Sequence, residues 1–195
     1  MSAQRIDWTA AEPDVARAPL NIVAGGVELV SGQDGPVPAV LLRRGHYADV
    51  PALHALLDAY AQQGLLLPRT PEQIGKRIHE FTVAVDARGI VGCGALRLYT
   101  HKLAELVALG VDERAQGQGI GRIIVEAIVE EAHAKGVRRL FALTLREKFF
   151  NRLGFHTRPM SQMPEKLAAD CALCPKRHAC NEILVLRELS PAHGN

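Results

Sequence analysis

The stretch AQGQGIGRIIVEAIVEEA, residues 115–132, places three glycines directly before an amphipathic helical pattern. Its isoleucine, valine and alanine residues recur at the spacing of three and four that predicts one buried helix face. The strand pattern LAELVALGV (Leu103–Val111) precedes the glycine turn, and RLFALTL (residues 139–145) follows the helix. A strand, a helix and a second strand in this order predict a right-handed βαβ unit with parallel strands.

The other patterns predict a single α/β domain, α+β by some counts, built on a mixed and mostly antiparallel sheet. Four apolar runs between turn signals are typical of strands: PAVLLRR, FTVAVD, IVGCGALRLY and EILVLREL, the second and third joined by a DARG hairpin. Helices are predicted from the N-cap Asp49 to Gly64, over TPEQIGKRIHE with a Thr70–Gln73 capping box, and over EKFFNRL before Gly154. We expect these helices on both faces of the sheet.

The composition is that of a globular protein of one domain. Of the 195 residues 48% are hydrophobic, and 23 basic residues nearly balance 21 acidic ones, so nothing favours a nucleic-acid or membrane-surface partner. No apolar run approaches the roughly 20 residues of a membrane span. The N-terminus lacks a secretory signal pattern, and we therefore expect a cytoplasmic protein. Turn-rich residues 1–38 are expected to form a weakly structured arm on a domain covering residues 39–195.

The glycine turn has the composition of an anion-binding turn. A dinucleotide fingerprint fails because its third glycine would fall on Arg122, and the Gly-Lys-Ser/Thr of a Walker A loop is absent. The remaining segment is Gln116-Gly117-Gln118-Gly119-Ile120-Gly121, in which successive backbone N–H groups can converge on an anion at the positive end of the helix dipole. The alternative is a flexible turn that only starts the helix.

In its context, the glycine turn resembles the Q/R-x-x-G-x-G/A motif of the GNAT superfamily of acetyl-CoA-dependent N-acetyltransferases. The segment LTLREKFFNRLGF, with its final Gly154-Phe155, is similar to the second motif of that family. The resemblance implies that the turn amides bind the pyrophosphate of coenzyme A and that the preceding strand runs beside its pantetheine arm. It places the coenzyme A contacts on the end of that strand and on the turn: Leu109, Gly110, Val111, Gln116, Gly117, Gln118, Gly119, Gly121 and Arg122.

Residues 39–189 resemble, more narrowly, the short single-domain N-acetylglutamate synthases of bacterial arginine biosynthesis. The segments that carry this resemblance include GLLLPRTPEQI and MPEKLAADCALCPKRHACNEILVLREL. The resemblance implies transfer of acetyl from acetyl-CoA to the α-amine of an amino acid, with L-glutamate the expected substrate, and it leaves a homodimer open. Two alternatives remain open: the protein acetylates another amine, or it is a non-catalytic module that binds coenzyme A.

Glu105 is the candidate general base, because an α-amine is mostly protonated at pH 7 and must lose a proton before it attacks a thioester. Some GNAT enzymes carry a glutamate at the corresponding point of this strand. Strand alternation puts Glu105 on one face with Leu103 and Val107, where an apolar surround would favour the protonated carboxyl group. The alternatives are a solvated strand face or an ion pair with an arginine such as Arg97.

The resemblance also assigns the remaining steps of acetyl transfer. A backbone N–H near Leu109 to Val111 is expected to stabilise the oxyanion of the tetrahedral intermediate. Many GNAT enzymes protonate the departing thiolate with a tyrosine four residues before the glycine of the Gly-Phe pair. That position is Phe150 here, so water, the departing ammonium or another group must supply the proton.

A glutamate substrate requires cationic partners for its two carboxylates, and arginine suits bidentate binding of such groups. Arg69, in the loop LLLPRT, is the preferred substrate residue. Arg97, Arg146 and Lys148 are further cations expected near the mouth of the cleft. Each of these could equally be a solvated surface charge.

The four cysteines fall into two groups. Cys93 lies in the apolar run IVGCGAL and is expected to be a small buried side chain. The loop CALCPKRHAC, residues 171–180, offers four candidate zinc ligands, Cys171, Cys174, His178 and Cys180. A reduced turn without metal is the preferred interpretation, and no metal site is assigned.

Overall fold

A computed structural model describes residues 20–23, 26–29 and 40–190. The main element is a seven-stranded sheet in the order β3-β4-β5-β6-β7-β9-β8. Its strands are β3 (Leu41–Arg44), β4 (Phe81–Asp86), β5 (Gly89–Leu98), β6 (Leu103–Val111), β7 (Arg139–Thr144), β8 (His156–Thr157) and β9 (Ile183–Glu188). The helices are α1 (Val50–Gln62), α2 (Pro71–Lys76), α3 (Ile120–Ala134), α4 (Glu147–Arg152) and α5 (Pro164–Ala169). None of the described helices is both long and apolar enough to cross a membrane.

The predicted α/β class, with a mixed and mostly antiparallel sheet, is confirmed. Only β6 and β7 pair in parallel, and every other neighbouring pair of the large sheet is antiparallel. One buried cluster packs α3 and α4 against one face of the sheet, and a second packs α1 and α2 against the other. The strand β8 escaped prediction because two residues show no periodicity, and α5 did so because Met163 occupies its N-cap position, unlike Thr70 before the equally short α2.

Part of the predicted N-terminal arm is regular. Strands β1 (Leu20–Val23) and β2 (Gly26–Leu29) form a separate antiparallel hairpin, with Leu20 opposite Leu29. The sequence analysis did not predict this hairpin, because the surrounding glycine and proline residues dominate the pattern. The rest of the arm lies outside the described residues, and its weak structure stays a prediction.

The side chains at the N-cap positions of α1 and α2 test the predicted helix starts. Thr70 and Gln73 form the predicted capping box, with Gln73 N donating to Thr70 Oγ1 over 3.2 Å and Thr70 N donating to Gln73 Oε1 over 2.9 Å. Asp49 occupies the N-cap position of α1, but the prediction that its side chain caps the helix is wrong. Its carboxylate accepts two hydrogen bonds from Arg43, at 2.6 and 2.9 Å, because that guanidinium satisfies both oxygens at once.

The parallel pairing of β6 with β7 is confirmed but short. It joins Leu103 to Arg139, Ala104 to Leu140 and Glu105 to Phe141, and it stops there. Both strands continue, β6 to Val111 and β7 to Thr144, so they separate beyond Glu105. We call the opening between these two strand ends the β6–β7 cleft.

A β-bulge shapes the β6 side of this cleft. The register between β5 and β6 shifts between Cys93 and Ala95, and Ala108 adopts a left-handed conformation with φ of 55°. Val107 and Ala108 consequently both pack on the side of α1 and α2, whereas Leu109 returns to the side of α3. The bulge therefore reorients the end of β6 relative to its beginning.

The helix α3 lies close to the sheet because β5 carries a glycine beneath it. A Cβ atom added at Gly94 would lie 2.8 Å from Ile128 Cδ1 and 2.9 Å from Ile124 Cγ2. Both isoleucines are fully buried. The absence of a side chain at this position therefore sets the distance between α3 and β5.

We predict that Gly94→Val lowers the free energy of unfolding by about 1–3 kcal/mol, because overpacking forces the two isoleucines or the backbone to shift. Chemical denaturation monitored by circular dichroism measures this change. Ala87→Val, in the exposed turn between β4 and β5, is the control for added β-branched bulk. Equal stability of the two variants would contradict the close approach of α3.

Candidate functional site

The glycine turn leads into α3 with an open backbone. Gly119 is the N-cap residue of α3 with φ of 78°, and Gly117 has φ of 74°. No atom lies within 4 Å of the Cβ that either residue would carry, counted over the described residues. The first N–H groups of a helix have no partner within the helix, so this turn presents donors to an anion.

Two polar side chains beside the turn have buried atoms without a partner. Among the described residues, Arg122 Nε and Gln118 Oε1 are buried and accept or donate no hydrogen bond. The Arg122 guanidinium comes no closer than 4.0 Å to its helix neighbour Glu126. A buried donor without an acceptor is costly unless a ligand supplies one, and a phosphate oxygen would do so.

Gln116, one of the predicted coenzyme A contacts, is hydrogen-bonded to the end of β6 and to α1. Its Nε2 donates to Tyr60 Oη and to Val111 O, each over 3.1 Å. Tyr60 Oη in turn donates to Val111 O over 2.6 Å and accepts from Val111 N over 3.0 Å. Burial raises the pKa of the Tyr60 phenol, which keeps its proton available. Gln116 and Tyr60 therefore fix the glycine turn to the end of β6.

The backbone at this end of β6 faces away from β5. Gly92 and Val111 lie opposite each other, and Asp112 N donates to Val91 O over 2.8 Å. Gly92 and Val111 are therefore a non-hydrogen-bonded pair of the antiparallel ladder. The N–H and C=O groups of Val111 point away from β5 as a result. The predicted residues Leu109, Gly110 and Val111 thus border the β6–β7 cleft, and Tyr60 of α1 packs against Gly110.

Glu105 lies at the closed end of the cleft and is buried, with 2% of its surface exposed. Lys166 Nζ lies 2.9 Å from both carboxylate oxygens, and Tyr99 Oη lies 2.9 Å from Oε2. The environment of Glu105 is therefore ionic, and the prediction of an apolar environment is wrong. The alternative pair with Arg97 is not formed either, because Arg97 donates to both oxygens of Asp170 over 2.7 and 2.9 Å.

The sequence analysis missed three residues of this cluster, Tyr99, Lys166 and Asp170. Lys166 also lies 3.1 Å from Asp170, and the Tyr99 hydroxyl is hydrogen-bonded to the same carboxylate. Burial raises the pKa of Asp170, but hydrogen bonds from Tyr99, Arg97 and Lys166 outweigh it and hold that pKa at about 2. Helix α5, which carries Lys166, begins without a capping side chain, and no local pattern connects it with β6.

Arg69 is partly buried, in the loop between α1 and α2. It lines a small cavity together with Arg97 and Val107. Burial lowers the pKa of Arg69, while the charge of Glu105 acts in the opposite direction. Arg97, which shares this cavity, lies opposite Glu105 in the β5–β6 ladder. Among the described residues, no acidic side chain forms an ion pair with Arg69. The Arg69 guanidinium in this cavity is therefore able to bind a carboxylate of a ligand.

Phe150 contributes no proton donor and belongs to the core. It is 4% exposed, and its ring packs edge-on against Phe149 and Phe155, each with a centroid distance of 5.2 Å. This aromatic cluster supports α4 and the turn at Gly154. Its packing accounts for an apolar ring at this position.

The cysteines are free thiols. Cys93 is buried as expected, and burial raises its pKa to about 12. Over residues 40–190, no group of three or more histidine, cysteine, aspartate or glutamate side chains is arranged to hold a metal ion. The zinc alternative for the loop 171–180 thus has no assembled ligand set.

Comparison with known proteins gives one consistent family. Residues 77–157 match the model of the GNAT acetyltransferase domain. An uncharacterized N-acetyltransferase of Chlorobaculum tepidum is 37% identical over 154 residues, which cover 79% of this chain and 99% of that protein. An amino-acid acetyltransferase of Mycobacterium tuberculosis is 37% identical over 118 residues, 59% of this chain and 67% of that protein.

A solved structure agrees with these sequence relatives. N-acetylglutamate synthase of Neisseria gonorrhoeae, complexed with coenzyme A and N-acetyl-glutamate, superposes with a TM-score of 0.71 at 29% identity. The match covers 77% of this chain and 35% of that one, so it concerns one part of the larger protein. The splayed sheet, the glycine turn and these relatives agree: the chain belongs to the GNAT acetyltransferases, and acetyl-CoA is its co-substrate.

Proposed function

We propose that the protein transfers the acetyl group of acetyl-CoA to the α-amine of L-glutamate, the first step of arginine biosynthesis. The observation that carries this proposal is the partly buried Arg69, which has no ion-pair partner among the described residues and lines a cavity with Arg97, the cross-strand neighbour of the buried Glu105. A cation next to a base suits a substrate with both a carboxylate and an amine. The amino-acid acetyltransferases and the N-acetylglutamate synthase among the relatives support the same substrate class.

The coenzyme A moiety is proposed to lie along the β6–β7 cleft. Its pyrophosphate would accept from the amides of residues 117–121 at the start of α3, where Arg122 adds a buried donor without a partner. Its pantetheine arm would run beside Leu109, Gly110 and Val111, where β6 has separated from β7. Gln116 serves this site indirectly, since it holds the turn against Val111 and Tyr60.

Glu105 is proposed as the general base. It removes a proton from the α-ammonium group, and the freed amine attacks the thioester carbonyl. The N–H of a residue at the bulge, near Leu109, donates to the oxyanion of the tetrahedral intermediate. The intermediate then collapses: its nitrogen gives up its second proton to solvent, and the coenzyme A thiolate leaves. A thiol with a pKa near 8.5 is a tolerable leaving group without enzymatic protonation, which is compatible with Phe150 in the core.

Arg69 is proposed to bind a carboxylate of the substrate. Arg97, the other cation of the cavity, is already engaged by Asp170 in a bidentate pair and is less available to a ligand. Pro68 precedes Arg69 and restricts the loop, so the guanidinium is held in place before the substrate binds. This arrangement favours substrates that combine a negative charge with a primary amine.

We predict that Gly119→Asp abolishes acetyl-CoA binding, because its carboxylate would repel the pyrophosphate at the helix N-terminus. Isothermal titration calorimetry measures the affinity. Gly119→Asn has nearly the same shape without the charge and should bind more tightly than Gly119→Asp. Gly136→Asp, at the other end of α3 with a similar φ of 75°, controls for backbone strain and should bind normally. Unchanged affinity of Gly119→Asp would contradict the phosphate site.

We predict that Glu105→Gln lowers kcat by about 10²–10⁴-fold, the usual contribution of a general base. Affinity for acetyl-CoA should stay unchanged, because the residue lies at the far end of β6 from the glycine turn. Thiol release from acetyl-CoA follows turnover, and Glu130→Gln, on the exposed surface of α3, is the matched control. Near-normal turnover at neutral pH would assign Glu105 a purely structural role.

We predict that Arg69→Ala lowers kcat/KM for glutamate by about 10- to 150-fold through a raised KM, the size of one charge-assisted hydrogen bond. The KM for acetyl-CoA should not change, and Arg69→Lys should recover only part of the loss. Arg88→Ala, in the exposed β4–β5 turn, is the control.

Mass spectrometry of a panel of amino acids and carboxylate-free amines tests the substrate. Acetylation of an amine in preference to every amino acid would overturn the glutamate proposal.

A further inference from the structure

The Tyr99 hydroxyl lies between two carboxylates that come from distant parts of the chain. Its oxygen is 2.9 Å from Glu105 Oε2 on β6, and it is also hydrogen-bonded to Asp170 Oδ2, which follows α5. The ring is held in place from both sides. It packs on Phe141 with a centroid distance of 5.7 Å, and the Arg97 guanidinium lies 4.8 Å from its centroid.

A phenol has one proton, and an ionised carboxylate has none to donate. Tyr99 can therefore donate to only one of its two neighbours, and the other contact is a hydrogen bond only when that carboxyl group is protonated. Asp170 is the group that stays ionised, because Arg97, Lys166 and Tyr99 hold its pKa at about 2 against the effect of burial. Both contacts of Tyr99 Oη are therefore hydrogen bonds only when the Glu105 carboxyl group is protonated.

Charged groups from four other parts of the chain act on Glu105. Lys166 of α5 is in direct contact, and three further groups act through space: Arg69 from the α1–α2 loop, Arg97 from β5 and Glu182 from the residue before β9. The lysine and the arginines favour the ionised carboxylate, whereas Glu182 and the negative charge of Asp170 favour the protonated one. Tyr99 connects Glu105 to Asp170 directly.

We propose that Tyr99 is a positioning residue for Glu105, donating its own proton to Asp170 and accepting a hydrogen bond from the protonated Glu105 that forms during the reaction. This inference rests on the proposed role of Glu105 as the general base. The N–H bond of the substrate ammonium breaks, an O–H bond forms on Glu105, and that O–H group then donates to Tyr99 Oη. The proton afterwards returns from Glu105 to solvent or to the product, so the cycle leaves the Tyr99–Asp170 pair unchanged.

Tyr99 and Lys166 consequently act on Glu105 in opposite directions. The tyrosine oxygen, whose proton is committed to Asp170, stabilises the protonated carboxyl group. The Lys166 ammonium, at 2.9 Å, stabilises the ionised carboxylate. The two contacts therefore oppose each other in the proton transfer proposed for Glu105.

The test is the pH dependence of kcat/KM for glutamate in Tyr99→Phe. The acid limb should move to lower pH by about 0.5–1 unit, the effect of one ordinary hydrogen bond to the protonated form. Lys166→Met should move the same limb to higher pH. A shift of the Tyr99→Phe limb to higher pH would mean that Tyr99 donates to the ionised Glu105. An unmoved limb would mean that the contact is only structural, and either result overturns the proposal.

The controls separate this inference from the proposed function. Tyr47→Phe removes an exposed hydroxyl elsewhere and should leave the limb in place. If the wild-type protein acetylates no amino acid, or if Glu105→Gln is fully active, the proposed function itself fails. If Tyr99→Phe does not fold in a thermal melt, Asp170→Asn replaces it. Loss of the Asp170 charge should likewise move the acid limb to lower pH, and a shift upward or none would overturn the proposal.

Discussion

The constraint on which the rest of the structure depends is the short parallel pairing of β6 with β7. Three residue pairs hold the strands together, and the bulge at Ala108 then turns the end of β6 away. Strand β7 therefore does not cover the end of β6, where the N–H and C=O groups of Val111 bond to Tyr60 and Gln116 instead. Strand β6 also leads directly into the glycine turn, so the cleft and the anion-binding helix N-terminus belong to one continuous surface. The close packing of α3 on Gly94 fixes this surface against the sheet.

The closed end of the same cleft is an ionic cluster rather than an apolar pocket. Glu105 is buried, yet Lys166 and Tyr99 surround it with polar contacts, and Asp170 joins both of them to Arg97. Burial alone would penalise each charge, and the mutual pairing offsets that penalty. Arg69 is the exception in this arrangement, since no acid among residues 40–190 forms an ion pair with it. Glu105 therefore has a cationic partner, Lys166. Arg69 has no acidic partner among the described residues and is proposed to bind a carboxylate of the substrate.

The sequence predicted those features that depend on local periodicity and local caps. The βαβ unit, the glycine turn, the capping box at Thr70 and the mixed sheet all follow from short-range patterns, and the structure contains them. The environment of Glu105 could not be predicted, because Lys166 on α5 and Asp170 directly after that helix lie more than sixty positions away in the sequence. The role of Gln116 as a brace on Tyr60 was likewise invisible, since it depends on where α1 packs. Local patterns thus predicted the elements and proposed candidate residues, while tertiary packing determined which charges meet.

The measurement that tests the central claim most directly is amide hydrogen exchange with and without acetyl-CoA, resolved to short peptides. The account predicts slower exchange in residues 109–111 at the open end of β6 and in residues 117–122 at the start of α3. Exchange in Leu103–Glu105, which β7 already covers, should remain unchanged, as should exchange in β3 at the far edge of the sheet. Protection confined to other elements, or none at saturating acetyl-CoA, would contradict a site built on the separation of β6 from β7.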